Sequence, residues 1–482
     1  MPVYRVPVPY QSGPTCRTRT ATEAAMPVTH VLVPSGVLGL GFSDDALARG
    51  VAMGCDLIAI DGGSTDSGPH SLGTGKSKYS RAVCKAEWRA LMQARAALGV
   101  PLVIGTAGTC GTDSAVDWMF DITAELAAEL GQRLRVARLY ASQDPAQVAR
   151  ALQAGQVRPL SPAPDITPEG VSGLANIVAL AGAEQVQAAL DTGADIVIAG
   201  RCTDTAIIAA LPLARGAHPG AAWHGAKIAE CGALCSTHPG SGVVRVSFDE
   251  TGFEVAPMAP EAACTPHSVS AHMLYENADP FRLFEPGGYL DVTAARYTAL
   301  DDRRVRVEGS EWVPGPYTVK LEGARLAGYQ TMLLAILREA RYVAHAREWA
   351  DRLHARLVAE VGAKLGLSPG DYDIEIRLIG LDAAMGPLET RAGQPAEVGA
   401  LCLVTATRQD WAEEIARLAN PYLLHFPLTE DEPLPTFAFP FSPAQTNRGA
   451  LYEFALNHVM ALDDPMAAFQ LRVDEVGHAA AA

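Results

Sequence analysis

"DLIAIDGGSTDSG", residues 56–68, decides the fold. Four apolar residues run into Asp61, two glycines break the run, and a hydroxyl-rich turn follows, which is how a buried strand of a parallel sheet gives way to a loop. The same grammar recurs along the first half of the chain. Candidate strands are "HVLVPS" (30–35), "PLVIGTAG" (101–108), "LRVARLY" (134–140), "NIVALAG" (176–182) and "DIVIAG" (195–200). Between them lie the helix-like segments 43–54, 80–99, 114–131, 144–155 and 182–193, several ending on a glycine suited to the left-handed C-terminal position. Strands alternating with longer helices predict βα units. Six units fall short of the eight of a closed barrel, so an open, doubly wound, Rossmann-like α/β sheet is expected over 28–235.

Beyond about residue 235 the pattern changes. "GVVRVSFDETGFEV" (242–255) and "RYTALDDRRVRVEGSEW" (296–312) read as antiparallel hairpins, so 236–368 is expected to be an α+β region, with a long helical segment or helix pair over 327–366. The last block, 369–482, reads strand, strand, helix, strand and is expected to form a small C-terminal α+β domain. Residues 1–27 read as a flexible extension, with Met26 a sensible alternative start. The proline-rich stretch 158–173 reads as a surface crossing near the site rather than a boundary.

Lys and Arg number 38 against 54 Asp and Glu, so the formal charge of −16 argues against nucleic acid as a partner. No apolar run reaches the roughly 18 residues a membrane helix needs, so no membrane partner is expected. Nine cysteines in so long a chain suit free thiols in a reducing compartment.

In open parallel sheets the ligand crevice lies beyond the carboxyl ends of the strands. The loop after Ile60 stands there. Asp61 ends the strand, Gly62 and Gly63 allow close backbone approach, Ser64 and Thr65 offer hydroxyls, and Asp66 offers a carboxylate. Lys76 and Arg81 add charge suited to a carboxylate or phosphate. A loop that merely joins strand to helix is the plain alternative. "GTGKS" (73–77) has the tail of a Walker loop, but His70 stands where the first glycine of GxxxxGK[ST] belongs, and no GxGxxG follows a strand.

"AGRCTDTA" (199–206) is a second strand end, where Arg201 would clamp a carboxylate and Asp204 would cap a helix or act as a base. "GTAGTCGTD" (105–113) adds Thr106 above glycines. In "WHGAKIAECGALCS" (223–236), His224, Lys227, Cys231 and Cys235 share a helical side beside Glu230. Two thiols without a second pair make a weak zinc signal, and buried packing is the simpler account. "PYTVKLEGA" (316–324) sets Lys320 and Glu322 on one face of a strand, as an ion pair or as a base and an acid. The aromatic-rich stretch 267–291 carries Glu276, Asn277, Asp279 and Glu285 and ends in a Pro-Gly-Gly turn.

Together "DGGSTDSGPHSLGTGKSKYSR", "PLVIGTAGTCG", "IAGRCTDTAIIAALPLARG", "HGAKIAECGALCS", "CTPHSVSAHMLYENADPFRLFEPGG", "PYTVKLEGA" and "FSPAQTNRGALYEFALNHVMALDDP" resemble the acyclic terpene utilisation (AtuA-like) family from about residue 28 to 475. The resemblance is to the branch with a Gly-Ser-Thr-Asp-Ser-Gly-Pro signature and a small C-terminal domain in the same chain. It implies a cytoplasmic bacterial protein in the catabolism of branched or terpenoid carboxylic acids, often as acyl-CoA derivatives. Cys202 departs from the pattern, which has Ala, Ser or Val there.

The expectation is a lyase of the hydro-lyase type working by acid/base chemistry on such an acid or its acyl-CoA thioester. Asp66, Asp204, Lys320, Glu322 and Glu230 are the catalytic candidates. Asp61, Gly62, Gly63, Ser64, Thr65, Lys76, Arg81, Thr106, Arg201, Glu276 and Asn277 are the substrate-binding ones. The alternatives are a Mg²⁺-dependent hydrolase or lyase, with Asp61, Asp66 and Asp204 as hard oxygen ligands, and a non-catalytic binding subunit of a degradative complex. Apolar hairpins and a large core point to a homo-oligomer.

Overall fold

A computed structural model describes residues 28–275, 277–391 and 393–477. The extension 1–27 and Glu276 lie outside the described residues.

Strand Leu57–Asp61 is buried along its whole length because its alternate side chains feed two different cores. Ile58 and Ile60 join Trp88, Leu91, Met119 and Ile122 on one face of the sheet. Leu57 and Ala59 join Val186, Ile207 and Ala210 on the other. Helices therefore cover both faces. Those on the first face, Arg81–Leu98 and Asp113–Leu130, end on Gly99 and Gly131 at φ 67° and 63°.

Five parallel strands stand in the spatial order Thr29–Val33, Leu57–Asp61, Leu102–Gly105, Ile196–Ala199, Leu134–Tyr140. Both edges are then extended by antiparallel strands. Val244–Phe248 pairs with Thr29–Val33 and leads on to Gly252–Pro257, Val305–Glu308 and Arg296–Ala299. Gln470–Val476 pairs with Leu134–Tyr140, giving a mixed sheet of ten strands. The architecture is mixed α/β, and its main sheet is not purely parallel.

A second, antiparallel sheet is organised by one long strand, Thr318–Leu337, paired with Val398–Ala406 and Gln445–Ala461. Tyr372–Ile379 and Val157–Pro159 lie beyond those partners. A third sheet holds Arg282–Glu285, Gly288–Asp291 and Glu311–Pro314. The sheets thus cross residues 235 and 368 in both directions. No helix among the described residues is long and apolar enough to cross a membrane.

Two expectations fail here. The segment 327–337 is strand, not helix; helices begin only at Ala340–Ala344 and Ala346–Leu365. Thr331, Leu333, Ala335 and Leu337 are buried alternately, but the intervening positions are also apolar, so the period of two is hidden in the sequence. Asn176–Ala179 is a strand as expected, yet it pairs antiparallel with the long strand rather than joining the parallel set. A short strand with an apolar run such as Ile177–Ala179 satisfies either sheet, and only the tertiary partner decides.

The carboxyl ends of three adjacent parallel strands, at Asp61, Gly105 and Ala199, come together and are laced by backbone hydrogen bonds. Gly62 N–H donates to Gly105 at 2.7 Å, Thr109 to Gly62 at 3.0 Å, Thr106 to Gly200 at 2.9 Å, and Arg201 to Gly111 at 2.9 Å. Gly111 sits at φ +62°, and a Cβ on it would lie 2.1 Å from the Arg201 nitrogen. Gly99 has a similar φ with open space around it. Gly111→Ala is therefore expected to lower the thermal unfolding midpoint well beyond Gly99→Ala, which carries only the left-handed penalty of about 1–2 kcal/mol. Equal shifts would show that the lacing yields at no cost.

Candidate active site

Arg201, at the turn after the Ala199 strand, is 6% exposed, and Glu322 on the long strand is 5% exposed. Two such charges persist in an interior only if paired and hydrogen-bonded. Arg201 Nε donates to Glu322 Oε2 at 3.0 Å and Nη2 to Oε1 at 3.4 Å. Lys320 Nζ approaches Oε1 at 2.8 Å, and the Thr65 hydroxyl donates to Oε2 at 3.0 Å. Burial alone would raise Glu322, but Arg201 and Lys320 overcome it and hold the carboxyl down to about 2. Thr106, at φ 44°, accepts from Arg201 Nη1 at 3.2 Å and donates to the Cys202 carbonyl at 3.0 Å. Its hydroxyl fixes the guanidinium rather than a ligand.

Beside this knot lies a cavity of about 420 Å³ lined by Asp66, Leu180, Arg201, Thr203, Asp204, Thr205, Lys227, Glu230 and Glu285. The N–H of Ala206, at the start of helix Ala206–Ala214, is taken by the Thr203 hydroxyl at 3.1 Å. Asp204 is therefore not the cap and is left to the cavity. It keeps slight solvent contact, yet burial, then the Glu230 carboxylate, push it up to about 7 against the pull of Arg201. Glu230 accepts from Thr205 at 2.8 Å and pairs with Lys227. Asp61 is 4% exposed; its Oδ2 accepts from the Gly63 N–H at 2.9 Å, while Oδ1 has no hydrogen-bond partner. Burial and Asp204 raise Asp61 well above the carboxylate range.

A second hollow of about 320 Å³ adjoins the first through Asp66. Its walls are Thr65, Lys320 and Glu322 on one side and Pro162, Pro164, Phe454 and Leu456 on the other, so the crossing 158–173 does reach the site. Larger hollows of about 910 and 890 Å³ open among the helices over the second sheet. The arginines there, Arg347 and Arg356, are 60% and 53% exposed, and the chemistry of buried, shifted carboxyls lies elsewhere.

The family model described as "Acyclic terpene utilisation family protein AtuA" matches residues 73–429, most of the chain. The chain belongs to the acyclic terpene utilisation family. No curated protein and no solved structure matches it. For this AtuA family member, membership implies a role in acyclic terpene utilisation and leaves the chemistry to be argued from the cavity.

The structure brings Asp61, Thr65, Asp66, Thr106, Arg201, Asp204, Glu230, Lys320 and Glu322 to one place. Gly62 and Gly63 act through packing: a Cβ on Gly62 would lie 2.7 Å from the Thr106 carbonyl oxygen, and Gly63 has φ +125°. Ser64 donates to Asp66 at 2.8 Å and so sets that carboxylate. Other candidates lie apart. Arg81 pairs with Glu125 at 2.6 Å on exposed helix surface. Lys76 is exposed and lines neither hollow. Asn277 donates to the Met273 carbonyl at 2.8 Å. His224 lies between Ser310 and Tyr297, and burial lowers it to about 3. The eight described cysteines are free.

Among the described residues no three His, Cys, Asp or Glu side chains are grouped to hold a metal ion, so Asp61, Asp66 and Asp204 do not form the Mg²⁺ ligand set considered above. Sequence reasoning named Lys227 and Glu285 without placing them in the site, and gave no role to Thr203, Thr205, Phe454 or Pro162. The turn after Glu285 was a visible signal of a fixed hairpin; what its carboxylate faces was not.

Glu322→Gln leaves Arg201 buried without its full counter-charge and is expected to cost about 3–5 kcal/mol of stability. Lys320→Ala, at a side chain 39% exposed, should cost less than about 1 kcal/mol. Because Glu322 is depressed in the folded state, its contribution is complete above its unfolded value near 4.5 and fades as pH falls toward about 2. Unfolding of wild type and Glu322→Gln across that range measures it, the difference shrinking with acid; a constant difference would refute the assignment.

Proposed function

We propose that this AtuA family member is a lyase of the hydro-lyase type that binds a branched or terpenoid carboxylic acid, free or as its CoA thioester, and moves protons on it. The observation that carries this reading is Asp204: a carboxyl brought to about 7 in a cavity of substrate size, so that both of its forms are present at neutral pH. An ionised Asp204 removes the proton next to the substrate carbonyl. The negative charge that develops is met by Lys227, which lines the same cavity, while Arg201 supplies fixed positive charge from its wall.

Arg201 itself does not act as a two-pronged clamp in this mechanism, since Glu322 already occupies two of its nitrogens. Its function is to set the electrostatics of Asp61 and Asp204, both of which it lowers. The hydrocarbon part of the substrate fits the second hollow, against Pro162, Pro164, Phe454 and Leu456. A doubly wound, Rossmann-like core is part of the same reading, supported by the five parallel strands, the helices on both faces and a crevice at the strands' carboxyl ends. So is a cytoplasmic homo-oligomer: the assembly is supported by Leu274, Phe281 and Phe284, exposed close together in sequence, and the compartment by the free thiols of the described cysteines.

Incubation in D₂O with branched acids and their CoA thioesters is expected to exchange the α-proton, with a rate that rises as pH rises through about 7. Asp204→Asn should reduce exchange at least about 100-fold. Mass spectrometry of the recovered acid reads both effects. No exchange from wild-type protein across the panel would leave the binding-subunit alternative in its place.

A further inference from the structure

Glu285 reaches the same cavity from a different sheet. It ends strand Arg282–Glu285, which turns through Pro286 and Gly287 into Gly288–Asp291. The turn is pinned. A Cβ on Gly182 would meet Pro286 Cβ at 2.9 Å, and one on Gly287 would meet the Tyr317 ring at 3.2 Å. The Tyr317 hydroxyl in turn donates to Glu184 at 2.9 Å. So held, the carboxyl stands against Thr203 and Thr205, the two neighbours of Asp204 in sequence, and against Lys227 and Glu230 from the end of helix Pro219–Ala229. Its Oε2 is buried and has no hydrogen-bond partner. A buried carboxyl oxygen without a partner is costly unless it carries a proton or meets a ligand. Burial, with Glu230 adding to it, raises the group to about 7, and the threonines and Lys227 only partly offset this.

We infer that Glu285 is the general acid of the site, handing its proton to a hydroxyl leaving from the β-carbon while Asp204 takes the α-proton; the substrate class is then a 3-hydroxy acid or its thioester. The inference rests on the proposed role of Asp204. The step balances. The α C–H electron pair becomes the new C=C bond, the β C–O bond breaks, and the oxygen leaves as water with the Glu285 proton. Asp204 ends protonated and Glu285 ionised, and exchange with water resets both. The reverse sequence adds water. No oxidant, reductant or further reactant is required.

Two measurements on the full chain test this. Dicyclohexylcarbodiimide adds to protonated carboxyls in apolar surroundings, and peptide mass spectrometry should find Glu285 labelled at pH 6 and not at pH 9. Labelling of Asp204 without Glu285 at pH 6 overturns the inference. With branched 3-hydroxyacyl-CoA thioesters, Glu285→Gln is expected to lose water elimination at least about 100-fold while α-deuterium exchange survives, whereas Asp204→Asn loses both. Wild-type elimination by a folded Glu285→Gln protein, checked by its thermal midpoint, sinks Glu285 alone. Absence of α-exchange in the wild type sinks Asp204 and Glu285 together, so the two failures are distinguishable.

Discussion

The carboxylate of Glu322 binds the two large sheets into one site. It meets a guanidinium from a loop of the parallel strands, an ammonium two residues away on its own strand, and a hydroxyl from the loop after Asp61. Ions this deep are tolerated only when their donors and acceptors are matched, so the three segments cannot drift apart independently. The pairing also governs the neighbouring acids. Because Glu322 answers Arg201, Asp61 and Asp204 need not, and burial is free to keep them in reach of a proton. Remove that partner, and Arg201 would draw both toward the ionised form.

The parallel half of the fold was legible because its signals are local. Ser43, Asp144 and the glycines after Arg81–Leu98 and Asp113–Leu130 mark ends through the chemistry of a single turn. Strands such as Leu134–Tyr140 are bounded by clear breaks. What the sequence concealed was partnership. The long strand Thr318–Leu337 ends in an unbroken apolar run, residues 332–337, that reads equally well at helical period, and strand pairing along both its edges settles the matter. The same holds for Asn176–Ala179, correct as a strand and misplaced by sheet.

The site divides in the same way. Strand-end position singled out Asp61, Arg201 and Asp204, because crevice geometry follows from the topology of a parallel sheet. The partner of Arg201 lies 121 residues further along the chain, and nothing local announces it. The choice between cap and base at Asp204 turned on one hydroxyl, Thr203, which takes the helix N–H first. Arg81 and Lys76 were drawn in by charge and proximity in sequence, but Arg81 stands exposed at the start of its helix and finds Glu125, and Lys76 stands exposed in the loop before it.

Strand Gln470–Val476 forms the outer edge of the ten-stranded sheet, along the whole of Leu134–Tyr140. During synthesis, the first two hundred residues emerge long before Gln470–Val476 can cover that flank of Leu134–Tyr140. For all of that interval the nascent chain presents a row of unsatisfied amides and carbonyls, the template for illicit pairing between chains. A chain that stops short of this strand leaves the flank of a buried strand open, whereas the completed sheet ends on one that carries Arg472, Asp474 and Glu475, charges that discourage pairing with a neighbour.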